Sequence, residues 1–403
     1  MAVLSLVLGS NLSACRPIPE QTSGLQSTDG IFSKDDASGL YFVGPRDAFA
    51  KAIPGQVNPY FDPQKPTFIH IHGWYRDGAR NNAFTSFSGK SFHISVENLA
   101  DIWRNKGWNF GVLDWTQYSD TVKDRSRRIG LIPGDLTYDT AERAIWGRNE
   151  DHQLTYILAD GQIKESNASS VTEKLTKDYL LFMRSAYPKA RIRFHGHSIG
   201  AQLAITMTQA IAEEVRSHNL PPSLIPTRVA LTDPIASNCA KPWLPQTKVR
   251  KRQFGQDCAG LQQGDWVGER LLDSVTWLKA NHHVVFEAYR CWPVTSSGLA
   301  GDALTPLFQE MAFVEKKPWF ASAVDLNTKH SACNWGYLWS IASAPPTALG
   351  SAGGALSASQ EDERVRAAMQ ASQRFVQFAE PAGTRESQFT PDPSDDVYAL
   401  EPW

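Results

Sequence analysis

Charge of one sign is what this sequence most plainly lacks. Its 403 residues carry 40 Lys and Arg against 42 Asp and Glu, a formal net charge of -2. Phosphate binding needs a sustained basic face, so a nucleic-acid partner is not expected. Beyond the first residues there is no run of about 18 apolar side chains, which excludes a membrane-spanning helix. No repeat with a period of roughly 20–50 residues is visible, which argues against a solenoid or propeller. Cysteine is sparse, with five residues, whereas tryptophan is abundant, with 13. So many indoles suit a packed core or a broad aromatic-lined surface equally well.

The five cysteines are informative through their positions. Cys15 closes "LSAC" after the short apolar run "MAVLSLVLGS", which resembles the end of a bacterial lipoprotein signal with a lipid-accepting cysteine. The positive n-region of such a signal is missing, since Met1–Ser10 has no Lys or Arg. This reading expects an exported protein, lipid-anchored to a bacterial envelope through Cys15 or secreted. Four cysteines then remain in an oxidising compartment, and three disulfide connectivities are open to them. Proximity in sequence favours Cys239–Cys258 and Cys291–Cys333.

Composition divides the chain further. Residues 1–15 read as the signal-like segment and 16–39 as a flexible polar tether rich in Pro, Ser and Gly. Residues 40–345 read as one α/β domain. Residues 346–403 read as a low-complexity linker, a helix over Gln360–Phe378 and a polar tail, because "ASAPPTALGSAGGALSAS" (342–359) resembles neither strand nor helix. Within the domain, buried-strand signals alternate with helical ones. Strands are predicted at "TFIHIHGW" (67–74), "WNFGVLDW" (108–115), "RIRFHG" (191–196), "TRVALTD" (227–233), "HHVVFEAY" (282–289) and "MAFVEK" (311–316). Helical segments such as "ISVENLADIWRNKG" and "VTEKLTKDYLLFMRSAYP" separate them. That alternation implies a mostly parallel, doubly wound sheet with helices on both faces.

One junction carries chemistry. In "RIRFHGHSIGAQLAITMTQAIAEEV" (191–215) a strand passes into a long helix through Gly196-His197-Ser198-Ile199-Gly200. Gly-x-Ser-x-Gly is a weak pattern alone, but between a strand and a helix it has the setting of a nucleophile elbow. Cβ atoms at 196 and 200 would meet the neighbouring helix and strand, and glycine avoids both. The serine hydroxyl stands at the carboxyl edge of the sheet, with the helix N-terminus behind it to favour a forming oxyanion.

A serine nucleophile needs a base, and the base an orienting acid, supplied by later strand ends in the order Ser, acid, His. Asp233 closes the first strand after the serine's helix. Of the four histidines beyond Ser198, His218 ends the nucleophile helix at the far side, while His282 and His283 open a strand and so sit at the wrong edge. His330 follows the last strand, on the right edge and in a loop before a helix. A Cys291–Cys333 disulfide would limit that loop's wandering. The second oxyanion donor, beside Ile199, is expected from Trp74 at the end of "HIHGW". His70 and His72 share a strand face but no third ligand is evident, so no metal and no cofactor is expected.

Taken together, "HIHGW", "GVLDW", "FHGHSIGAQLA" and "VALTDPI" resemble, in order and spacing, segments of pancreatic-type lipases of the α/β-hydrolase fold, over roughly Phe68 to Ile235. The resemblance implies Ser198, Asp233 and His330 as triad, with Trp74 and Ile199 giving oxyanion N–H groups. It implies hydrolysis of a lipid or small-molecule ester, and the same triad also serves thioesters, polyesters and peptide amides. A non-catalytic envelope scaffold is the reading of a different class. Three departures stand out. The family's C-terminal lipid-binding β-sandwich is not expected, since residues 346–403 read as low-complexity sequence and one helix. The family histidine directly follows a Cys-Asn-like pair, whereas here Cys333-Asn334 is followed by Trp335. The segment "CAKPWLPQTKVRKRQFGQDC" (239–258) also differs, and reads as a lid with Trp243, Leu244 and Phe254 towards an acyl pocket, or as a solvated excursion. Gln117–Asn167 is the other lid candidate, with a hairpin turn at Asp160-Gly161.

Overall fold

Alternate residues of the central strands enter two separate cores. Ile69, Ile71, Leu113, Phe194, Val229, Leu231 and Phe286 join one cluster, while Phe68, Phe110, Val112, Ala230, Val285 and Val314 join the other. A strand apolar on both faces must be covered on both, and here helices do so. The computed structural model describes residues 35–403 apart from 46–47, 75–77, 80–92, 95–96, 120–135, 148–152, 187, 238–239, 242, 245–264, 297–301, 323–324, 371 and 380–395.

Among the described residues the main sheet has 11 strands. In chain order they are β1 (Gly39–Val43), β2 (Phe49–Lys51), β3 (Thr67–Ile71), β4 (Asn109–Asp114), β5 (Ile192–His197), β6 (Arg228–Thr232), β7 (Val285–Arg290), β8 (Ala312–Glu315), β9 (Thr347–Leu349), β10 (Gln373–Ala379) and β11 (Val397–Pro402). Their spatial order is β9-β11-β10-β8-β7-β6-β5-β3-β4-β1-β2. From β4 through β3, β5, β6, β7 and β8 to β10 every pairing is parallel. Only β1–β2, β1–β4 and β10–β11 are antiparallel. The order reverses between β3 and β5, where ligands of doubly wound sheets bind.

Among the described residues the helices of seven residues or more are α1 (Leu99–Asn105), α2 (Leu136–Trp146), α3 (Val171–Ala186), α4 (Gly200–Ser217), α5 (Val267–His282), α6 (Leu326–Trp339) and α7 (Asp362–Met369). The first face is covered by α2, α3, α4 and α5, whose Ile145, Leu175, Leu203 and Leu271 lie in its core. The second is covered by α1, α6 and α7 through Trp103, Tyr337 and Val365. This is the α/β class expected from the sequence, mostly parallel and doubly wound, with helices on both faces. Among the described residues no helix is long and apolar enough to cross a membrane.

Two parts of the sequence reading need correction. Residues 346–403 are not a linker, helix and tail, because β9, β10 and β11 extend the main sheet. The helix expected over Gln360–Phe378 stops at Met369, and Gln373–Ala379 is a strand. The reason is pairing: Phe375 and Val376 are buried between β8 on one side and β11 on the other. The segment is also tied down by charge. Arg228 and Glu287, wholly buried, pair at 2.7 Å, and Arg228 donates to the carbonyls of Ser357 and Gln360. Arg193 reaches Ala358, Gln360 and Asp362 in the same way. His282 and His283 do not open a strand; they end α5, with His283 as its left-handed cap at φ 54°.

Some expectations fall outside the described residues: Cys15 and the tether up to residue 34, Cys239, Cys258 and most of the 239–258 segment. Trp243 and Leu244 are described, and both are buried in the first core. The hairpin of the insertion is present as Thr155–Ile157 paired with Ile163–Glu165. Its turn has Gly161 at φ 87°.

Candidate active site

Ser198 occupies a corner that its neighbours make possible. Its φ is 58°, in the left-handed region where a non-glycine residue is strained. A Cβ on Gly196 would lie 2.6 Å from the Ala201 Cα, and one on Gly200 would lie 2.2 Å from the His72 carbonyl oxygen. Helix α4 therefore presses against β5 on one side and against the end of β3 on the other, with no room for a side chain at either position. Ser198 itself is 6% exposed. Its N–H donates to Thr232 and its carbonyl accepts from Ile235, so the segment around Asp233 wraps the corner.

Asp233 follows β6 directly and is fully buried, also in the left-handed region at φ 45°, a conformation that Asp tolerates better than most. One carboxylate oxygen, Oδ1, accepts from the backbone N–H groups of Cys291 at 3.2 Å and Trp292 at 3.1 Å. The other, Oδ2, lies 2.5 Å from His330 Nδ1. An acid held in this way has a fixed direction and leaves one oxygen for the imidazole.

The structure brings His330 to Asp233, as the order of motifs suggested, but not on a loop. His330 lies in the first turns of α6, whose start is capped by Asp325 accepting from the Thr328 N–H at 3.1 Å. Its ring packs on that of His197, the residue before Ser198, with centroids 4.5 Å apart. His197 Nε2 donates to the His330 carbonyl at 3.2 Å. Burial, and then the neighbouring His330, push the His197 imidazole well below the ordinary histidine value. It stays neutral as a spacer and donor. Sequence reading missed His197, although its place beside the serine was visible.

Cys291 and Cys333 are joined as expected. The bridge links the residue whose N–H holds Asp233 to a residue one turn along α6 from His330, so it fixes acid and base to one another. Its 42-residue separation gives about 4 kcal/mol of stabilisation from loop closure. Cys333→Ser in the full chain is expected to lower stability by about that amount in chemical denaturation. It should also reduce turnover at temperatures where the variant is still folded. Wild-type turnover in the folded variant would show that the bridge serves stability alone.

On the other side of the corner, Gly73 lies so close to Ser198 that a Cβ there would be 2.8 Å from the serine Cβ and 3.4 Å from its hydroxyl oxygen. Trp74 follows immediately. Ile199 flanks the start of α4, and its N–H belongs to a helix end whose first amides have no intrahelical acceptor. Ile199 thus follows the serine directly, and Trp74 follows the glycine that packs against it. His70 and His72 do not converge on a shared ligand. His70 Nδ1 meets His195 Nδ1 at 2.9 Å, and His195 bonds Thr232 at 3.0 Å. Burial drives both imidazoles down, His195 to about 3, and they form a neutral pair under the site. Among the described residues no group of three or more His, Cys, Asp or Glu could hold a metal ion.

No protein-family model and no curated protein matches this chain. Similar solved structures include an esterase from Rhizomucor miehei, at 13% identity and TM-score 0.26, over 58% of this chain and 58% of that one. Another is a carboxyl esterase from Bacillus coagulans, at 12% identity and TM-score 0.21, over 55% and 44% of the two chains. A third is a bacterial membrane phospholipase A, at 14% identity and TM-score 0.24, over 63% and 71%. Several such chains are matched over less than two thirds of their length, from 36% to 66%. With likeness this slight, the chemistry has to be read from the residues of the chain itself.

Proposed function

We propose that the chain is a serine carboxylic-ester hydrolase, lipase-like in its substrates. The observation that carries this reading is the His330–Asp233 contact at 2.5 Å, made on the sheet edge where Ser198 stands in its left-handed corner. Asp233 keeps the His330 proton on Nδ1, so Nε2 is free to take the proton of Ser198. The Oγ–carbon bond forms as the carbonyl π pair moves to oxygen, and that oxyanion is met by the N–H groups of Trp74 and Ile199. Collapse breaks the bond to the alcohol, which leaves with the proton from His330. Water then repeats the sequence on the acyl-enzyme and releases the acid.

Three things support an apolar acyl group. Tryptophans fall on the segments that follow three strand ends of this edge: Trp74 after β3, Trp292 after β7, where its backbone N–H donates to Asp233, and Trp319 after β8, 53% exposed. The motif set resembles pancreatic-type lipases. The Cys15 segment, read as an export and lipidation signal, would hold the enzyme at an envelope where lipid esters are found.

Hydrolysis of nitrophenyl esters from acetyl to palmitoyl, compared with acyl thioesters, polyesters and anilides of the same acyl groups, tests the reading. Esters are expected to be cleaved with the highest kcat/KM, by about 100-fold or more over amides, because the alkoxide leaves more readily. A thioester preference would assign the site to the thioesterase alternative. Inactivity on every acyl compound would make the protein a scaffold and end the proposal.

A further inference from the structure

His72 is fully buried at the end of β3, and both ring nitrogens are engaged. Nδ1 lies 2.6 Å from the carbonyl oxygen of the next residue, Gly73. Nε2 accepts from the backbone N–H of Trp115 at 3.2 Å, with the Thr116 hydroxyl at 3.4 Å. A carbonyl only accepts and an amide N–H only donates, so these contacts require the proton on Nδ1 and a lone pair on Nε2. The Asp114 carboxylate is also 3.4 Å from Nε2, but that same oxygen accepts from the Thr116 hydroxyl at 2.7 Å.

The Gly73 carbonyl and the Trp74 N–H belong to one peptide group. A trans peptide is planar, so its C=O and N–H point in opposite directions. Gripping the oxygen therefore aims the hydrogen. We propose that His72 is a positioning residue for the oxyanion site: its Nδ1–H holds the Gly73 carbonyl and so fixes the direction of the Trp74 N–H.

The surroundings make that hold stiff. The carbonyl of His72 itself accepts from the Trp115 indole N–H at 2.8 Å and lies against Gly200, where a Cβ would be 2.2 Å away. Gly73 in turn lies against Ser198. Both peptide groups leading to Trp74 are pinned, one by an indole and one by an imidazole. An oxyanion donor has to be preorganised, and small displacements of such groups cost catalysis heavily. The Trp of "GVLDW", Trp115, thereby acquires a use that its spacing in the sequence does not disclose.

This inference rests on Ser198 as nucleophile and Trp74 as donor. His72→Asn and His72→Gln in the full-length protein separate its parts, because the Asn amide nitrogen falls near the imidazole Nδ1 and the Gln amide falls near Nε2. His72→Gln is expected to lower kcat by about 10- to 100-fold with KM little changed. Its affinity for an alkyl trifluoromethyl ketone should fall by the same factor, since Ser198 Oγ adds to that ketone's carbonyl carbon and leaves a negative oxygen in the oxyanion site. His72→Asn should keep both within about 3-fold of wild type. Equal losses in the two variants, or a kcat loss without loss of ketone affinity, would overturn the proposal. Trp74→Pro, which deletes the N–H, distinguishes the levels. Full activity in that variant removes the donor itself. A slow Trp74→Pro beside a normal His72→Gln removes only the role of His72. Should His72→Gln fail to fold, the 15N spectrum of histidine-labelled wild type decides, with His72 expected as the Nδ1–H tautomer and an Nε2–H tautomer contradicting it.

Discussion

Ser198→Ala is expected to lower kcat for ester hydrolysis by about 10⁴- to 10⁶-fold, with little change in KM. The substitution removes one oxygen atom from a residue that is 6% exposed, so it opens no cavity of consequence. The corner is preserved, because its shape comes from Gly196 and Gly200 meeting α4 and β3, and alanine tolerates φ 58° no worse than serine. Thermal stability should therefore stay close to wild type while turnover collapses. The residual rate would come from the oxyanion donors and from binding alone. Initial rates under saturating ester, together with a melting curve, check both halves of the expectation. Loss of activity accompanied by unfolding would not count in its favour.

Asp233→Asn should cost about 10⁴-fold in kcat through a different route. Oδ1 of Asp233 accepts two backbone N–H groups, from Cys291 and Trp292, so an asparagine has to present its carbonyl oxygen to them. Its NH₂ then faces His330, whose Nδ1 can only accept from it. The imidazole proton is forced to Nε2, and the base that should receive the serine proton already carries one. The residue remains buried and hydrogen-bonded, so the protein should fold. Because the two residues act as one unit, the double variant with Ser198→Ala should be no slower than Ser198→Ala alone. Steady-state rates of the two single variants and the double variant measure this directly.

How much of this was legible beforehand depends on how local the determining contacts are. The corner at Ser198 was readable because two glycines at fixed spacing record a steric need within a few residues. Asp233 was readable because a strand end fixes its edge. His330 was reached by its edge and by chain order, and its helical setting was missed although Asp325 and Thr328 carried a capping signal. The C-terminal strands were hidden for a stronger reason. Strand β10 is stabilised by β8 and β11, partners distant in sequence, and nothing within residues 346–379 announces them. Likewise Arg193 and Arg228 look like the solvent side of ordinary strands. Only the folded chain shows them buried, donating to carbonyls of Ser357, Ala358 and Gln360. Beside Glu287, which pairs with Arg228, the seemingly low-complexity stretch supplies the carbonyls that complete the hydrogen bonding of two buried cations.

The central claim is that the Ser198 hydroxyl, activated by His330, attacks acyl carbon. Treating the folded wild-type chain with a fluorophosphonate and locating the adduct by peptide mass spectrometry tests it most directly. A single phosphonyl group on Ser198, formed at a rate matching the loss of esterase activity and greatly slowed in Asp233→Asn, is the expected result. Labelling of another residue, or an enzyme that continues to hydrolyse esters with Ser198 fully modified, would contradict it.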